Sequence, residues 1–189
     1  MSNELIISAT QDGCRIALLK DKTLVEFHQE AEGSKFTVGD IYLGTVKKVV
    51  PGLNAAFIDV GYDKDAFLHY LDMGPQFSTL NKFLKAASSK NNKIFSISKV
   101  QTEPDIDKDG KMGQVLSANQ NILVQIAKEP ISAKGPRLSS EITLAGRYIV
   151  LVPFSNKVSV SQKIKEDSEK KRLKELIQSI RPKNFGVII

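Results

Sequence analysis

Two phenylalanines in the stretch PGLNAAFIDVGYDKDAFLH, residues 51–69, have the type and spacing to bind a flat ligand. Phe57 and Phe67 lie ten positions apart, and each directly follows an alanine. If the segments on either side of Tyr62 pair as a hairpin, the two rings lie opposite each other on one face. Two exposed rings side by side would form a platform on which nucleobases stack, each base contributing roughly 1–3 kcal/mol to binding.

The same two rings could instead belong to the hydrophobic core. In the hairpin register described above, the core side chains are Ile58, Val60 and Leu68, and the rings share their face with Asp59 and Asp65. A face that mixes phenylalanine with aspartate is not a normal core face. However, a register shifted by one residue would bury both rings, because it moves every side chain to the other face. Spacing alone leaves both interpretations open.

The elements expected to position these rings are mainly short strands. Three β-rich runs separated by tight turns predict an antiparallel meander over 4–10, 14–20 and 23–30. Further strands are predicted over 41–50, 54–61, 65–70, 121–129, 141–153 and 184–189. Only the segment 166–181 has the apolar spacing of a helix, and Pro182 follows it directly.

The segment 73–118 differs in composition from its flanks. It is rich in Lys, Ser, Asn and Asp, which predicts a long loop with at most one helical turn near 79–87. A polar segment with few aromatic residues buries too little apolar area to offset the entropy of ordering. We therefore expect this loop to be the least ordered part of the chain.

The composition excludes several classes of protein. The chain has 189 residues, 41% hydrophobic and 25% charged, and no apolar run of the roughly 18 residues that a membrane helix needs. Cys14 is the single cysteine, which excludes an internal disulfide and a cysteine zinc site within this sequence. No signal peptide is recognisable, so a reduced, cytoplasmic setting is expected. The net charge of +6 permits binding to a polyanion without requiring it.

The run GDIYLGTVKKVVPGLNAAFIDVGYDKDAFLH resembles the start of the ribonuclease E/G family, bacterial endoribonucleases that process ribosomal RNA and initiate messenger decay. The likeness continues in ILVQIAKEPISAKGPRLSSEITLAGRYIVLVP and VSVSQKIKEDSEKKRLKE. It extends from Leu5 to Ile189, is weakest over 73–118, and is closer to the ribonuclease G branch of the family. Long, ordered matches of this kind are more specific than any single short motif.

The resemblance implies a mainly β fold with one α-helix, of the α+β class. It places the first strands of a ribonuclease-H-like subdomain at 1–36. An S1-type OB-fold RNA-binding domain, which carries the loop 73–118, follows at 37–128. The segment 129–189 corresponds to an incomplete sensor region for the RNA 5′ end. Because the sequence ends on an apolar strand, we expect it to be the amino-terminal part of a longer protein.

The resemblance also assigns site residues for RNA. Phe57 and Phe67 match aromatic residues on the RNA-binding face of the family, which favours the stacking platform over the core interpretation. Lys134 matches a basic residue that supports RNA binding on the same domain. Lys128 is a further basic candidate, although a solvated lysine is the alternative for any single one.

A second predicted site would bind a 5′-monophosphate. Gly146 and Val150 match positions whose main-chain atoms line the pocket for this group in the family, and a glycine permits close backbone approach. A glycine bulge in a strand remains an alternative for Gly146. Gln162 stands where other members of the family have an arginine, and glutamine cannot supply a charged fork to phosphate. We therefore expect this pocket to be incomplete.

The family's cofactors are expected outside this sequence. In the family, catalytic aspartates hold Mg²⁺ for phosphodiester hydrolysis, and paired cysteines can join subunits through zinc. None of these residues is recognisable here, so no catalytic or metal-binding residue is assigned and this chain alone is expected to be inactive. The implied partner is single-stranded RNA, including ribosomal precursors and mRNA, with no membrane and with homo-oligomers of the full-length enzyme. A free-standing OB-fold RNA-binding protein and a structural β protein are the alternatives.

Overall fold

A computed structural model describes residues 2–10, 13–31, 36–88 and 96–189. The chain forms two compact units, Met1–Lys35 and Phe36–Ile189. The first unit is a three-stranded antiparallel sheet with the order β1-β2-β3. Its strands are β1 (Asn3–Thr10), β2 (Gly13–Lys20) and β3 (Thr23–Ala31). The predicted meander is therefore confirmed.

The turn between β2 and β3 shows why this sequence forms a hairpin. Asp21 and Lys22 both have positive φ values, 48° and 67°. Two successive residues in this conformation form the two-residue turn whose twist matches that of antiparallel strands. Gln11 and Asp12, in the turn predicted between β1 and β2, lie outside the described residues.

The second unit contains a closed five-stranded barrel with the order β4-β5-β6-β8-β7. The strands are β4 (Ile41–Val50), β5 (Ala55–Asp59), β6 (Ala66–His69), β7 (Asn121–Lys128) and β8 (Arg137–Ser139). Alternate residues of each strand point inward, and the fully buried interior includes Val46, Ile58, Leu68, Val124 and Leu138. The architecture is mainly β and is consistent with an OB-like barrel.

The barrel extends past the boundary predicted at residue 128. Its last strand, β8, begins at Arg137 and pairs with both β6 and β7. Three residues that include an arginine and a serine give no strand signal of their own, so tertiary pairing rather than local preference makes this segment a strand.

The prediction of an irregular loop over 73–118 is wrong for two parts of that segment. Residues Phe77–Ala87 form an eleven-residue helix, α1, rather than one turn, and Met112–Val115 form the short helix α2. Phe77 and Leu80 of α1 are buried, and Met112 is completely buried in the barrel core. The physical reason is that a few apolar residues, spaced correctly within a polar segment, reach an existing core. Residues 89–95 lie outside the described part of the chain.

Asn54 ties the end of this segment to the barrel. Its side-chain amide donates to the Gly110 carbonyl at 3.1 Å, and its side-chain oxygen accepts from the Met112 N–H at 2.7 Å. Asn54 itself has φ 46°, a conformation that asparagine tolerates better than most residues. These bonds fix the entry of α2, and the Met112 side chain closes the interior.

A second sheet follows the barrel, with the order β11-β12-β10-β9. Its strands are β9 (Leu144–Ala145), β10 (Val150–Pro153), β11 (Val158–Ser159) and β12 (Phe185–Ile188). The single strand predicted over 141–153 is instead the β9–β10 hairpin, because the residues between them form a turn. The predicted helix is confirmed as α3 (Asp167–Ile180). None of the described helices is long and apolar enough to cross a membrane.

Asn184 connects this sheet with the segment that precedes the barrel's α2. Its buried side-chain amide donates to the carbonyls of Ile97 and Val100, at 2.9 and 2.8 Å. The predicted loop is therefore also held at 97–100, because a buried amide that lost these two acceptors would be left unsatisfied.

Candidate nucleic-acid interface

The β5–β6 hairpin places Phe57 and Phe67 directly opposite each other. Their ring centroids lie 5.8 Å apart with the planes inclined by 65°, an edge-on arrangement. Both side chains are half-buried, whereas Ile58 and Leu68 on the other face are fully buried. The predicted register is therefore confirmed, and a one-residue shift that would put both rings in the core is excluded.

The strand registers extend this pair into a row across the whole barrel surface. Lys48 of β4 pairs with Phe57, and Phe67 pairs with Arg137 of β8. Arg137 in turn pairs with Lys128 of β7. Five strands thus contribute one residue each to an aromatic–basic row, defined here as Lys48, Phe57, Phe67, Arg137 and Lys128. All five are exposed or half-buried, so the row lies on the outer face of the barrel.

A β-bulge in β4 adds Lys47 to the same neighbourhood. The pairing with β5 skips one residue between Val46 and Lys48, so two consecutive lysines are exposed there. The Lys47 ammonium lies 3.0 Å from the carboxylate of Asp59. The Gly61 main-chain N–H and Lys47 together hold the pKa of Asp59 below its usual value. Asp59, one of the two aspartates that share the face with the rings, is therefore ionised but paired, which weakens its repulsion of an anionic ligand.

Phe57 and Phe67 also line an open groove beside the row, with a volume of ≈ 670 Å³. The charged residues that line the same groove are three cations, Lys64, Lys134 and Arg137, and one carboxylate, Asp65. A cavity of ≈ 720 Å³ lies elsewhere, near Gln125 and Leu144. It has no cationic side chain among its lining residues, so the smaller groove suits an anionic polymer with flat bases better.

Gly135 explains how Lys134 reaches this groove. The Lys134 N–H donates to the Ile131 carbonyl at 3.0 Å, which closes a turn. A Cβ at Gly135 would collide with the main-chain atoms of Lys64 and Asp65. Only a glycine lets the turn lie directly against the β5–β6 hairpin. Lys134 is thus not in the row, but it faces the same groove as the two rings.

His69 continues the line of rings along β6. Its ring centroid lies 6.4 Å from that of Phe67. The Leu71 N–H donates to its Nδ1 at 3.1 Å, which leaves Nε2 as the nitrogen that carries the proton in the neutral ring. The half-buried surface of this hairpin therefore offers three rings in succession.

The residues predicted for a 5′-monophosphate pocket lie at one end of the second sheet. The Gly146 N–H donates to the Ile149 carbonyl at 2.8 Å and closes the β9–β10 turn. Val150 pairs with Ala145 on one side and Ile188 on the other. Gln162 is exposed in the turn after β11, next to Ser161, whose N–H donates to the Ile189 carbonyl at 2.7 Å. The structure therefore brings Gly146, Val150 and Gln162 to the same end of the second sheet. Their role in binding a 5′-monophosphate stays a prediction.

Lys48 and Arg137 are the residues of the row that sequence reasoning did not find. Lys48 lies in an apparently regular strand, and only the bulge before it sets which face it occupies. Arg137 belongs to a strand too short to recognise from its residues. The sequence pointed to these two residues only indirectly: both lie within the segments that carry the family resemblance.

The fold and this surface define a class, that of an OB-like barrel with an aromatic and basic outer face. The comparisons with known proteins add the family. Residues 143–189 match the model of the ribonuclease E/G family. Ribonuclease G of Escherichia coli K12 is 34% identical over the whole chain, which covers 35% of that protein. Ribonuclease G of Haemophilus influenzae is 36% identical over 98% of the chain and 34% of its own length.

A third relative extends the match to the other branch of the family. Ribonuclease E of Nostoc is 35% identical over 80% of this chain and 18% of its own length. The chain belongs to the ribonuclease E/G family, as the sequence resemblance indicated. It spans about a third of the length of the ribonuclease G relatives that it matches.

Proposed function

We propose that this chain is the RNA-binding part of a ribonuclease G-like endoribonuclease and that it binds single-stranded RNA along the aromatic–basic row. The observation that carries the proposal is the strand register, which aligns two rings between cations on the outer surface of the barrel. Proteins that bind single strands combine such stacking rings with a basic track for the backbone.

The rings and the lysines of this surface bind different parts of the RNA. Phe57 and Phe67 provide stacking faces for two bases. Lys48 and Lys134 are exposed ammonium groups beside the rings, and Lys128 is an exposed ammonium group next to Arg137. These three lysines contact phosphates. None of them needs to be buried for this role, because phosphate attraction by exposed lysines arises largely from counterion release.

We assign the hydrolysis of RNA to the full-length enzyme, of which this chain would be one part. Its Mg²⁺ would activate water for hydrolysis of the phosphodiester, and zinc could join its subunits into homo-oligomers. Among the residues that the structure describes, no three His, Cys, Asp or Glu side chains cluster as a metal site. The proposed substrates are ribosomal RNA precursors and mRNA in the cytoplasm, and the role of this chain is to hold and orient them.

The end of the second sheet is proposed as part of the 5′-end sensor. Main-chain groups at Gly146 and Val150 would face the terminal phosphate, and Gln162 would contribute an uncharged amide. Because an amide attracts phosphate less strongly than a guanidinium, discrimination between 5′-monophosphate and 5′-hydroxyl RNA should be weak in this chain.

Replacing Lys134 or Lys48 with Ala should lower RNA affinity mainly at low salt. If each lysine contacts one phosphate, the slope of log K against log salt should decrease by about 0.7 for each substitution. Titration of a labelled single-stranded RNA at several salt concentrations measures this slope.

Lys174→Ala is the matched control, because it removes the same charge from an exposed position of α3, outside the row. It should leave the slope unchanged. Equal slopes for Lys134→Ala, Lys48→Ala and the unmodified chain would exclude phosphate contacts by these two lysines.

The purified 189-residue chain should bind RNA without cleaving it, with or without Mg²⁺. Hydrolysis requires carboxylates that hold the metal, and we assign these to the longer protein. Incubation with a labelled RNA and electrophoresis measures cleavage. Magnesium-dependent cleavage that co-purifies with the chain and disappears on its depletion would contradict the assignment.

A further inference from the structure

Phe36 has a strained backbone conformation at the start of the second unit. It is the first residue of that unit and has φ 65°. This left-handed conformation is unfavourable for a residue with a bulky side chain, and it persists only where the surrounding contacts enforce it. Residues in such conformations are concentrated at functional sites, which makes Phe36 a candidate for a positioning role.

Two tyrosines hold Phe36 in this conformation. The Phe36 N–H donates to the Tyr42 hydroxyl at 3.0 Å, and the two rings stack with their centroids 4.9 Å apart and their planes inclined by 8°. The ring of Tyr62 contacts Phe36 edge-on, with the centroids 5.0 Å apart and the planes inclined by 69°. All three rings are partly buried against the barrel core. Phe36 therefore connects β4, which carries Tyr42, with the segment between β5 and β6, which carries Tyr62.

The hairpin tip, defined here as residues 60–65, is the segment that Phe36 contacts through Tyr62. The same tip supports the turn 131–135, which carries Lys134, because Gly135 lies directly against the main chain of Lys64 and Asp65. Lys64 of the tip and Lys134 of the turn both line the groove beside the rings. The position of these two cations therefore depends on the position of the tip.

We infer that Phe36 is a positioning residue for the RNA face: its contact with Tyr62 fixes the hairpin tip, and the tip fixes the turn that places Lys134 in the groove. The inference rests on the proposed function. Phe36 itself does not line the groove, so it acts on RNA only through the tip. A lysine side chain is flexible, and the region that its ammonium group reaches is set by where its main chain is held.

Leucine substitutions on either side of the ring contact test this role. Phe36→Leu and Tyr62→Leu keep an apolar side chain and remove the ring. Each should lower the affinity for a single-stranded RNA decamer at low salt by about 3- to 30-fold, which lies within the coupling measured between contacting residues. Because the weakened contact is one with a phosphate, the slope of log K against log salt should decrease by up to about 0.7.

Two conservative variants are the controls, and all variants are compared well below their melting temperatures. Tyr62→Phe keeps the ring and should bind RNA like the unmodified chain. Phe83→Leu removes a half-buried ring that packs against Phe154, away from the hairpin tip, and should leave both affinity and slope unchanged.

The double variant Phe36→Leu/Lys134→Ala distinguishes positioning from a general loss of stability. If Phe36 acts through the turn, Lys134→Ala should change the slope little further once the ring of Phe36 is gone. Lys48→Ala, on β4, should still lower the slope by about 0.7 in the same background. A general loss of stability would instead leave the effects of both lysine substitutions additive.

Unchanged affinity and slope in both leucine variants would overturn the inference, and so would full additivity of Phe36→Leu and Lys134→Ala. If Lys134→Ala lowers the slope while both leucine variants bind RNA normally, the proposed RNA face stands and only the role of Phe36 fails. If the unmodified chain does not bind the decamer, the proposed function fails as well.

Discussion

Replacing both Phe57 and Phe67 with Ala should reduce the affinity for single-stranded RNA by about 2–6 kcal/mol, because under the proposed function each ring stacks a base that contributes roughly 1–3 kcal/mol. Thermal stability should fall less than for a core phenylalanine, whose loss costs about 3–5 kcal/mol. Both rings are only half-buried on the outer face. RNA titration and a thermal melt of the same protein measure the two effects.

Phe83→Ala is the matched control for this experiment. Phe83 is also half-buried and also packs against a second ring, with its centroid 5.3 Å from that of Phe154, but it lies on α1. It should affect stability to a similar extent and leave RNA affinity unchanged. If the Phe57 and Phe67 variants melt early yet bind RNA normally where they remain folded, the rings serve packing and not recognition.

The face on which these rings lie could be predicted because alternation in a hairpin is a local property. Once Tyr62 is taken as the centre, the ten-residue spacing fixes Phe57 opposite Phe67 and sends Ile58 to the core. The resemblance then selected the exposed interpretation over the buried one. The sheet of the first unit could be predicted for the same reason, since its strands follow one another closely and a tight turn connects β2 with β3.

The rest of the row depends on pairings that no local pattern records. Arg137 joins the row only because β8 inserts between β6 and β7, which are separated from it by very different lengths of chain. Lys48 joins through a bulge that shifts the register by one residue. The position of Arg137 is a consequence of closing the barrel, and closure is decided by the whole set of strands.

The loop prediction was wrong over the helices Phe77–Ala87 and Met112–Val115 for a related reason. The average composition of a segment describes only how polar the segment is as a whole. Burial depends instead on whether a few of its apolar residues contact a core formed by other elements. Met112 and Leu116 lie within a polar segment, yet they are 0% and 3% exposed. A sequence window that averages over 73–118 conceals them.

Replacing Met112 with Ala should therefore destabilise the protein by about 2–5 kcal/mol, since it removes a completely buried side chain and leaves a cavity. The main-chain bond from Met112 N to Asn54 Oδ1 does not depend on the side chain, so the loss should reflect packing alone. Denaturant unfolding measures it. Leu71→Ala is the control, because Leu71 is 78% exposed and should change the free energy of unfolding by no more than about 0.5 kcal/mol.

The same variant decides between the two descriptions of residues 73–118. If this segment were mobile in solution, Met112 would contribute no packing, and Met112→Ala would be as stable as the unmodified chain. If α2 closes the barrel, the variant should unfold at lower denaturant concentration and the amides of 112–116 should exchange faster, while RNA affinity measured well below the melting temperature stays unchanged. Binding is retained in that case because Met112 lies in the interior and the aromatic–basic row lies on the outer face.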